Sequence, residues 1–259
     1  MKQFFLILIY SLVTCAFLYS AFPDRLINIE TTELTTDSLG FCATSLLEDI
    51  KLAEEKAKRK HSDLEKKLYN HLINLDKDTR DITADCVLPV VVHIIHNNGP
   101  ENIPDAQVLQ GIQYLNDAYA NTNPYDPATG VDTQIQFCLA KQDPDGNQTT
   151  GITRTESILT SLTLETQDID MKDLARWDPL NYINIYLVSE ICSAGSGCGV
   201  AGYAYFPSSH GGPEDGIVLE SQWMGTDPGG TAALAHEAGH YLGLYHTFQG
   251  GCTNADCLA

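Results

Sequence analysis

The sequence predicts an α+β fold in which a twisted mixed sheet carries a backing helix and a second helix with a histidine motif, all preceded by a helical segment. Three observations predict this fold. The run Leu88–Ile95 is apolar and rich in β-branched residues, as in a strand buried on both faces. An amphipathic helical pattern extends from Asp105 to about Asn121. A second helix is predicted around His236, where the motif H-E-x-x-H begins.

The residues before this domain are expected to form a signal peptide and a helical segment. Residues 1–21 carry Lys2 near their start and continue as an apolar stretch, which is typical of a secretion signal. An uncleaved membrane anchor and a lipid-modified Cys15 are the alternatives. In residues 22–86, Ser45 and Glu48 have the spacing of a capping box, and apolar residues then recur at helical intervals. We expect a polar linker at about 76–85 and a second domain at 87–259.

Shorter patterns predict the remaining elements of the second domain. We expect strands at Ile135–Ala140, Ile183–Val188, Gly202–Pro207 and Gly216–Glu220, with a short helical piece around Leu174. Gly229, Gly230 and Thr231 lead into the motif helix. His93 and His96 are an odd number of residues apart in a strand, so they point to opposite faces and are not expected to share a metal.

The charge of the chain excludes one class of partner. The sequence holds 15 Lys and Arg against 34 Asp and Glu, a formal net charge of −19. After Cys86 only four basic residues remain against twenty acidic ones. This surface would repel phosphate backbones, so we expect no nucleic acid as partner. It suits cations and basic peptides, although acidity also serves solubility alone. We expect no stable membrane association after signal cleavage.

Cysteines fit an exported protein. Of the 8 cysteines, seven remain if the signal carrying Cys15 is removed. An odd number implies a free thiol, an intermolecular bond or a missing partner. Cys192 and Cys198 flank a small loop and are our best candidates for a disulfide. The turn Asp143–Asn147 carries carboxylates that suit calcium, with a plain turn as the alternative.

The histidine motif has the geometry of a metal site. Residues four apart lie on one face of a helix, so His236 and His240 can direct two imidazoles at one ion, with Glu237 beside them. A continuous helix would carry His246 roughly 15 Å along the axis and about 80° round. Gly243 can end the helix, because glycine tolerates the left-handed backbone that turns the chain back. A histidine pair alone is common on ordinary helices, whereas the extended motif is specific. Three histidines leave a fourth zinc position for water.

With these residues placed, the chain resembles the pappalysin (ulilysin-like) branch of the metzincin metallopeptidases. The resemblance covers roughly residues 87–259. It rests on the extended motif H-E-x-x-H-x-x-G-x-x-H and on three further stretches: Leu242–Cys252, Gly202–Pro207 and Leu88–His93. It implies a metzincin-like catalytic domain in a secreted zinc endopeptidase precursor that acts on proteins or peptides and prefers sites next to basic residues.

The resemblance also implies roles for single residues. His236, His240 and His246 would bind one catalytic zinc, and Glu237 would take a proton from the zinc-bound water and pass it to the leaving amine. Substrate would lie extended along the edge strand that contains Gly202, Tyr203, Ala204 and Tyr205.

Cys42 lies in a stretch that resembles the opening of pro-segments in this family. Its thiolate would occupy the fourth zinc position and keep a zymogen latent. A disulfide is the alternative role for this cysteine.

The sequence departs from the family pattern after His246. The Met-turn of metzincins has no counterpart in the thirteen residues that follow. The resemblance would pair Cys252 within that part and begin a calcium site at Asp256, so both are expected to be incomplete. Two further functions therefore stay open: an inactive zinc-binding remnant that binds a peptide or protein, and a surface adhesin with a structural metal.

Overall fold

A computed structural model of the chain describes residues 41–52, 55–74, 86–125, 128–195 and 197–246. The signal peptide at 1–21, the linker at 76–85, Cys252 and Asp256 lie outside these residues. All described residues except 128–130 belong to one compact unit. None of the helices in these ranges combines the length and the apolar character that a membrane span requires.

A seven-stranded mixed sheet forms the centre of the fold. Its strands are β1 (Phe41–Cys42), β2 (Cys86–His96), β3 (Ile135–Leu139), β4 (Ile152–Glu156), β6 (Ile183–Val188), β9 (Val200–Ala204) and β10 (Ile217–Glu220). Their order is β1-β9-β10-β6-β2-β3, and β4 pairs with the later half of β2. All these pairs are parallel except β9 with β10.

Strand β2 is buried on both faces, which confirms the prediction from its sequence. Val90, Val92 and Ile94 alternate along it and belong to one apolar cluster. Ile95 points to the other face and belongs to a second cluster. The two clusters are the two layers of core on either side of the sheet.

Two helices cover the first face. Helix α3 (Asp105–Tyr119) buries Val108 and Leu115, as its pattern predicts, and ends two residues before the expected Asn121. Helix α5 (Pro228–Tyr241) carries the histidine motif, and its Leu234 and Ala238 join the same cluster. The motif helix therefore lies directly on the sheet, which fixes its height relative to the strands.

The opposite face carries elements that the sequence pattern did not fully predict. Helix α4 (Leu164–Asp173) is ten residues long and ends where only a short piece around Leu174 was expected. A small three-stranded sheet combines β5 (Ser161–Thr163), β7 (Glu190–Ser193) and β8 (Gly197–Cys198). Cys192 and Cys198 are directly opposed in β7 and β8 and form a disulfide.

The N-terminal segment adds β1 to the central sheet and continues as two helices, α1 (Thr44–Leu52) and α2 (Glu55–Asn74). The capping-box prediction is wrong, because α1 begins at Thr44 and Ser45 already lies inside it. Cys86 is the first residue of β2 and pairs with Ile135. The division of the chain at residues 86 and 87 stays a prediction.

His93 is a buried residue of the sheet, and its surroundings lower the pKa of its imidazole. Its Nδ1 is 2.7 Å from the hydroxyl of Thr153, and its Nε2 is 2.9 Å from Oδ1 of Asn184. The ring also stacks on Tyr186 at 5.0 Å. These neighbours satisfy a neutral imidazole, and burial lowers the pKa of His93 to about 4. His96 has a different partner, the backbone N–H of Asn98.

We expect His93 to make stability depend on pH. The unfolded imidazole has a pKa of about 6.5, so below that pH the unfolded chain binds the additional proton. Between pH 7 and pH 4.5 this residue should therefore lower the free energy of unfolding by about 2–3 kcal/mol. Urea unfolding of the wild type and of His93→Gln at the two pH values measures it. An equal loss of stability in both chains would show that His93 is not responsible.

Candidate active site

The motif helix ends in a turn that depends on Gly243. Helix α5 begins at Pro228, so Gly229 and Gly230 lie in its first turn instead of preceding it. At its other end Gly243 has φ +98°. The N–H of Gly243 donates to the carbonyl of His240, and the N–H of Leu244 donates to the carbonyl of Gly239, both at 2.9 Å. These two bonds define a Schellman motif, which reverses the chain directly after the helix.

This turn brings the three histidines together. The Nε2 atoms of His236 and His240 are 2.9 Å apart, and each lies 3.1 Å from Nε2 of His246. Nitrogens that ligate one tetrahedral zinc at about 2.0–2.1 Å are separated by about 3.3 Å. The triangle therefore has nearly the size that a shared zinc ion requires.

Hydrogen bonds to the outer ring nitrogens orient these imidazoles. The carbonyl oxygen of Leu244 lies 2.7 Å from Nδ1 of His240 and can only accept, so that nitrogen carries the proton and Nε2 presents its lone pair. Nδ1 of His246 lies 2.9 Å from the hydroxyl of Ser45. Burial lowers the pKa of all three rings, that of His240 to about 4. A cation between the three Nε2 atoms would be held by the lone pairs of the neutral rings.

Cys42 completes a tetrad of donor atoms. Its Sγ and the three imidazole nitrogens all lie within 4.8 Å of one another. Burial and then the charge of Glu237 raise the pKa of this thiol to about 12, so the neutral thiol is favoured until a cation binds. Coordination reverses that balance, because a divalent cation deprotonates a bound thiol. One sulfur and three imidazoles form a donor set that suits zinc.

Glu237 lies beside the tetrad and is 2% exposed. Burial raises its pKa to about 7, although hydrogen bonds from Cys42 and Thr44 oppose the rise. Thr44 donates its hydroxyl hydrogen to Oε2 of Glu237 at 3.0 Å and accepts the N–H of Ala204 at the same distance. Thr44 therefore connects the carboxylate to the edge of the sheet. No sequence pattern predicts these contacts of Thr44 and Ser45, and the only signal is that the two residues lie two and three positions after Cys42.

The predicted edge strand lies next to Glu237. Gly202, Tyr203 and Ala204 belong to β9, whereas Tyr205 follows it. On one side β9 pairs with β10, and on the other with β1, where Cys42 lies opposite Gly202. A Cβ atom on Gly202 would lie 2.9 Å from the carbonyl oxygen of Val218 and 3.2 Å from Cγ of Glu237. Glycine is thus needed where the strand passes the carboxylate.

A cleft of about 530 Å³ opens beside the histidines. Its lining includes all three imidazoles together with Tyr119 and Leu244.

In the predicted calcium turn Asp143–Asn147, the first carboxylate is engaged in hydrogen bonds of the turn itself. Asp143 accepts the backbone N–H groups of Asp145 and Asn147 at 3.0 and 2.8 Å, so its carboxylate closes its own turn.

Known proteins resemble this chain in sequence and in fold. Residues 165–258 match the peptidase family described as pregnancy-associated plasma protein-A. Two solved structures from Tannerella forsythia resemble the chain. A glutamate-to-alanine mutant of promirolysin has 28% identity and a TM-score of 0.60, over 80% of this chain and 70% of that one. Mature mirolysin with a cleaved peptide has 31% identity and a TM-score of 0.54, over 66% of this chain and 70% of that one.

Curated sequences give the same result. An extracellular metalloprotease of Arthroderma otae is 28% identical over 194 residues, which are 70% of this chain and 60% of that protein. The chain thus spans about three fifths of the length of this relative. The fold, the three histidines with Cys42, and the relatives together define a metzincin-like metallopeptidase domain. The chain belongs to the pappalysin family of metallopeptidases.

We expect Gly243→Ala to weaken metal binding. A residue with a Cβ atom costs roughly 1–2 kcal/mol in the left-handed backbone, so the turn should open and withdraw His246, lowering zinc affinity about tenfold. Competition with a chromophoric chelator measures this affinity. Gly195→Ala is the matched control, because a Cβ atom there meets nothing within 4 Å. If both variants bind zinc as the wild type does, the turn does not position His246.

Proposed function

We propose that the chain is the precursor of a secreted zinc-dependent endopeptidase, held latent by its own N-terminal segment. The observation that carries this proposal is the convergence of Cys42 with three imidazoles immediately beside a buried glutamate. Family membership supplies the class of enzyme, and the geometry supplies a role for each residue.

His236, His240 and His246 would hold the catalytic ion. Bound zinc supplies a Lewis acid that polarises a carbonyl group and lowers the pKa of water. The imidazoles are oriented for this task by Leu244 and Ser45, which accept or share a hydrogen bond at the outer ring nitrogens. Such outer contacts fix the direction of each lone pair.

Glu237 would be the general base and then the general acid. It is adjacent in sequence to His236, and its burial keeps its pKa near neutrality, the range in which a carboxylate both accepts and returns a proton. In the arrangement described here its oxygen accepts the hydroxyl of Thr44. The base is therefore occupied as long as the N-terminal segment stays in place.

Latency would come from the same segment. Cys42 takes the remaining ligand position, and β1 covers the edge of β9 to which an extended substrate would add. The coverage of the Tannerella structures supports this role: promirolysin matches 80% of the chain, and mature mirolysin matches 66%. We place the signal peptide at 1–21, the pro-segment at 22–86 and the catalytic domain at 87–259.

Secretion and substrate preference complete the proposal. The relatives are named extracellular metalloproteases, which supports export. The substrates would be proteins or peptides. An acidic domain favours basic segments, so we place cleavage next to basic residues, as the resemblance implies.

Replacing Glu237 by alanine should remove hydrolysis but not metal. We expect casein hydrolysis by the activated chain to fall by about 10²–10⁴-fold, the usual contribution of a general base. One equivalent of zinc should remain bound in metal analysis. Glu156→Ala, which removes an exposed carboxylate from β4, should retain full activity. Hydrolysis by Glu237→Ala at the wild-type rate would refute its assigned role.

Replacing Cys42 by alanine should shorten latency. Without the thiolate ligand the segment loses a metal bond, and we expect the full-length chain to become active about tenfold sooner. The lag before fluorogenic casein is hydrolysed measures this change. Cys86→Ala is the control, since Cys86 is a free and exposed cysteine. An unchanged lag in Cys42→Ala would argue for an ordinary structural cysteine.

A further inference from the structure

Lys51, near the end of α1, inserts its ammonium group into the catalytic side of the molecule. Its Nζ donates to the hydroxyl of Ser209 at 2.6 Å and to Oε1 of Glu214 at 3.1 Å. It also lies 5.2 Å from the centre of the Tyr205 ring. A carboxylate, a hydroxyl and an aromatic face are the groups that bind an ammonium ion. All three follow β9 in sequence, whereas Lys51 belongs to the N-terminal segment.

The cleft around this ammonium group has a volume of about 300 Å³ and is shared by both parts of the chain. Besides Glu214, two carboxylates line it, those of Glu165 and Asp168. Glu165 accepts from Ser193 and the backbone of Ala194, and Asp168 accepts from Lys172 and Tyr203. Those two carboxylates have partners within the catalytic side, whereas Glu214 is paired with a lysine of the segment that must leave.

The position of Glu214 does not depend on that segment. The fully buried Lys172 donates to the carbonyl oxygen of Glu214 at 2.5 Å, and Arg176 donates to the carbonyl oxygen of Pro213 at 2.6 Å. Two cations of the catalytic side therefore hold the backbone on which Glu214 stands. Burial raises the pKa of Glu214, but a backbone hydrogen bond, Lys51 and the charge of Lys172 together hold it below its usual value, so the carboxylate is ionised.

Departure of the segment removes the ammonium group that donates to this carboxylate, and only the more distant charge of Lys172 remains. The side chain of Glu214 is 27% exposed while Lys51 is in place, so the departure of the segment opens the carboxylate to a new partner. A peptide that replaces β1 on the edge of β9 passes the same place. In antiparallel pairing, which is the more stable kind, its N-terminal residues run towards Tyr205. Tyr205 lies three residues beyond Gly202, or roughly 10 Å along an extended chain.

We propose that Tyr205, Ser209 and Glu214 form a binding site for a lysine side chain of the substrate, about two to four residues before the scissile bond. Lys51 fills this site in the latent chain and imitates that side chain. The inference rests on the proposed function and adds a second place of recognition, remote from the scissile bond. It makes Glu214 a specificity-determining residue.

A rescue experiment tests the site without requiring hydrolysis. In the full-length chain, Lys51→Ala removes the side chain that propylammonium can replace. We expect 50 mM propylammonium to raise the midpoint of thermal unfolding of Lys51→Ala by about 1–3 °C more than that of the wild type. The double variant Lys51→Ala with Glu214→Gln should lose this gain, and 1-propanol should give none. Equal shifts in all three chains would overturn the proposed site.

Substrate preference tests its use by the activated enzyme. Peptides carrying lysine or norleucine at each position from four before to two after the scissile bond are compared by kcat/KM. We expect lysine to be preferred about tenfold at one upstream position, the effect of one charge-assisted hydrogen bond. Glu214→Gln should reduce the ratio of the lysine to the norleucine values at that position to about one, and Glu156→Gln should retain the wild-type ratio.

The two experiments separate the possible failures. A wild type that cleaves the peptides with no upstream lysine preference contradicts the substrate site. A wild type that cleaves none of them contradicts the proposed function instead, and the propylammonium result then decides whether the site binds an ammonium group.

Discussion

The meeting of three imidazole nitrogens within 3.1 Å of one another is the constraint around which this molecule is arranged. Helical spacing supplies two of them, and the reversal at Gly243 supplies the third. The strand beneath the helix must leave room for Glu237, and Gly202 does so because it has no Cβ atom. The helix must also pack closely on the sheet, which it does through Leu234 and Ala238. Fold and site are thus connected through one helix and the turn that ends it.

The N-terminal segment contacts this site at several points along β1 and the two helices that follow it. Cys42, in β1, adds a sulfur to the imidazoles. Thr44, the first residue of α1, donates to Glu237, and Lys51, about two turns further along α1, pairs with Glu214. Helix α2 adds a contact with the turn that carries His246. There the hydroxyl of Tyr245 lies 2.7 Å from Nε2 of His61 and donates to Glu65 at 3.0 Å. Because several weak contacts act together, no single one must be strong to keep the segment in place.

Much of the site could be predicted from the sequence, since the spacing of the histidines and the glycine lies within eleven residues and helix geometry translates it directly. The buried strand β2 can likewise be predicted from its apolar, β-branched run. The contacts of Thr44 and Ser45 were not, because their partners are 193 and 201 residues away and no local pattern encodes them. The local spacing of Ser45 and Glu48 predicts a helix cap, but α1 already begins at Thr44. The hydroxyl of Ser45 instead makes a tertiary contact with His246. The sequence does not predict strand β4, because its mostly polar, half-buried or exposed residues give little alternation of apolar and polar positions. Its pairing with β2 alone defines it.

Zinc K-edge X-ray absorption of the uncleaved, zinc-loaded chain tests the central claim most directly, that one ion is held by three imidazoles and Cys42. The account predicts a four-coordinate shell with three nitrogens at about 2.0–2.1 Å and one sulfur at about 2.3 Å. The sulfur should be replaced by a nitrogen or oxygen donor once the N-terminal segment is removed. A shell that contains no sulfur in the uncleaved chain, or fewer than three imidazoles, would contradict the account.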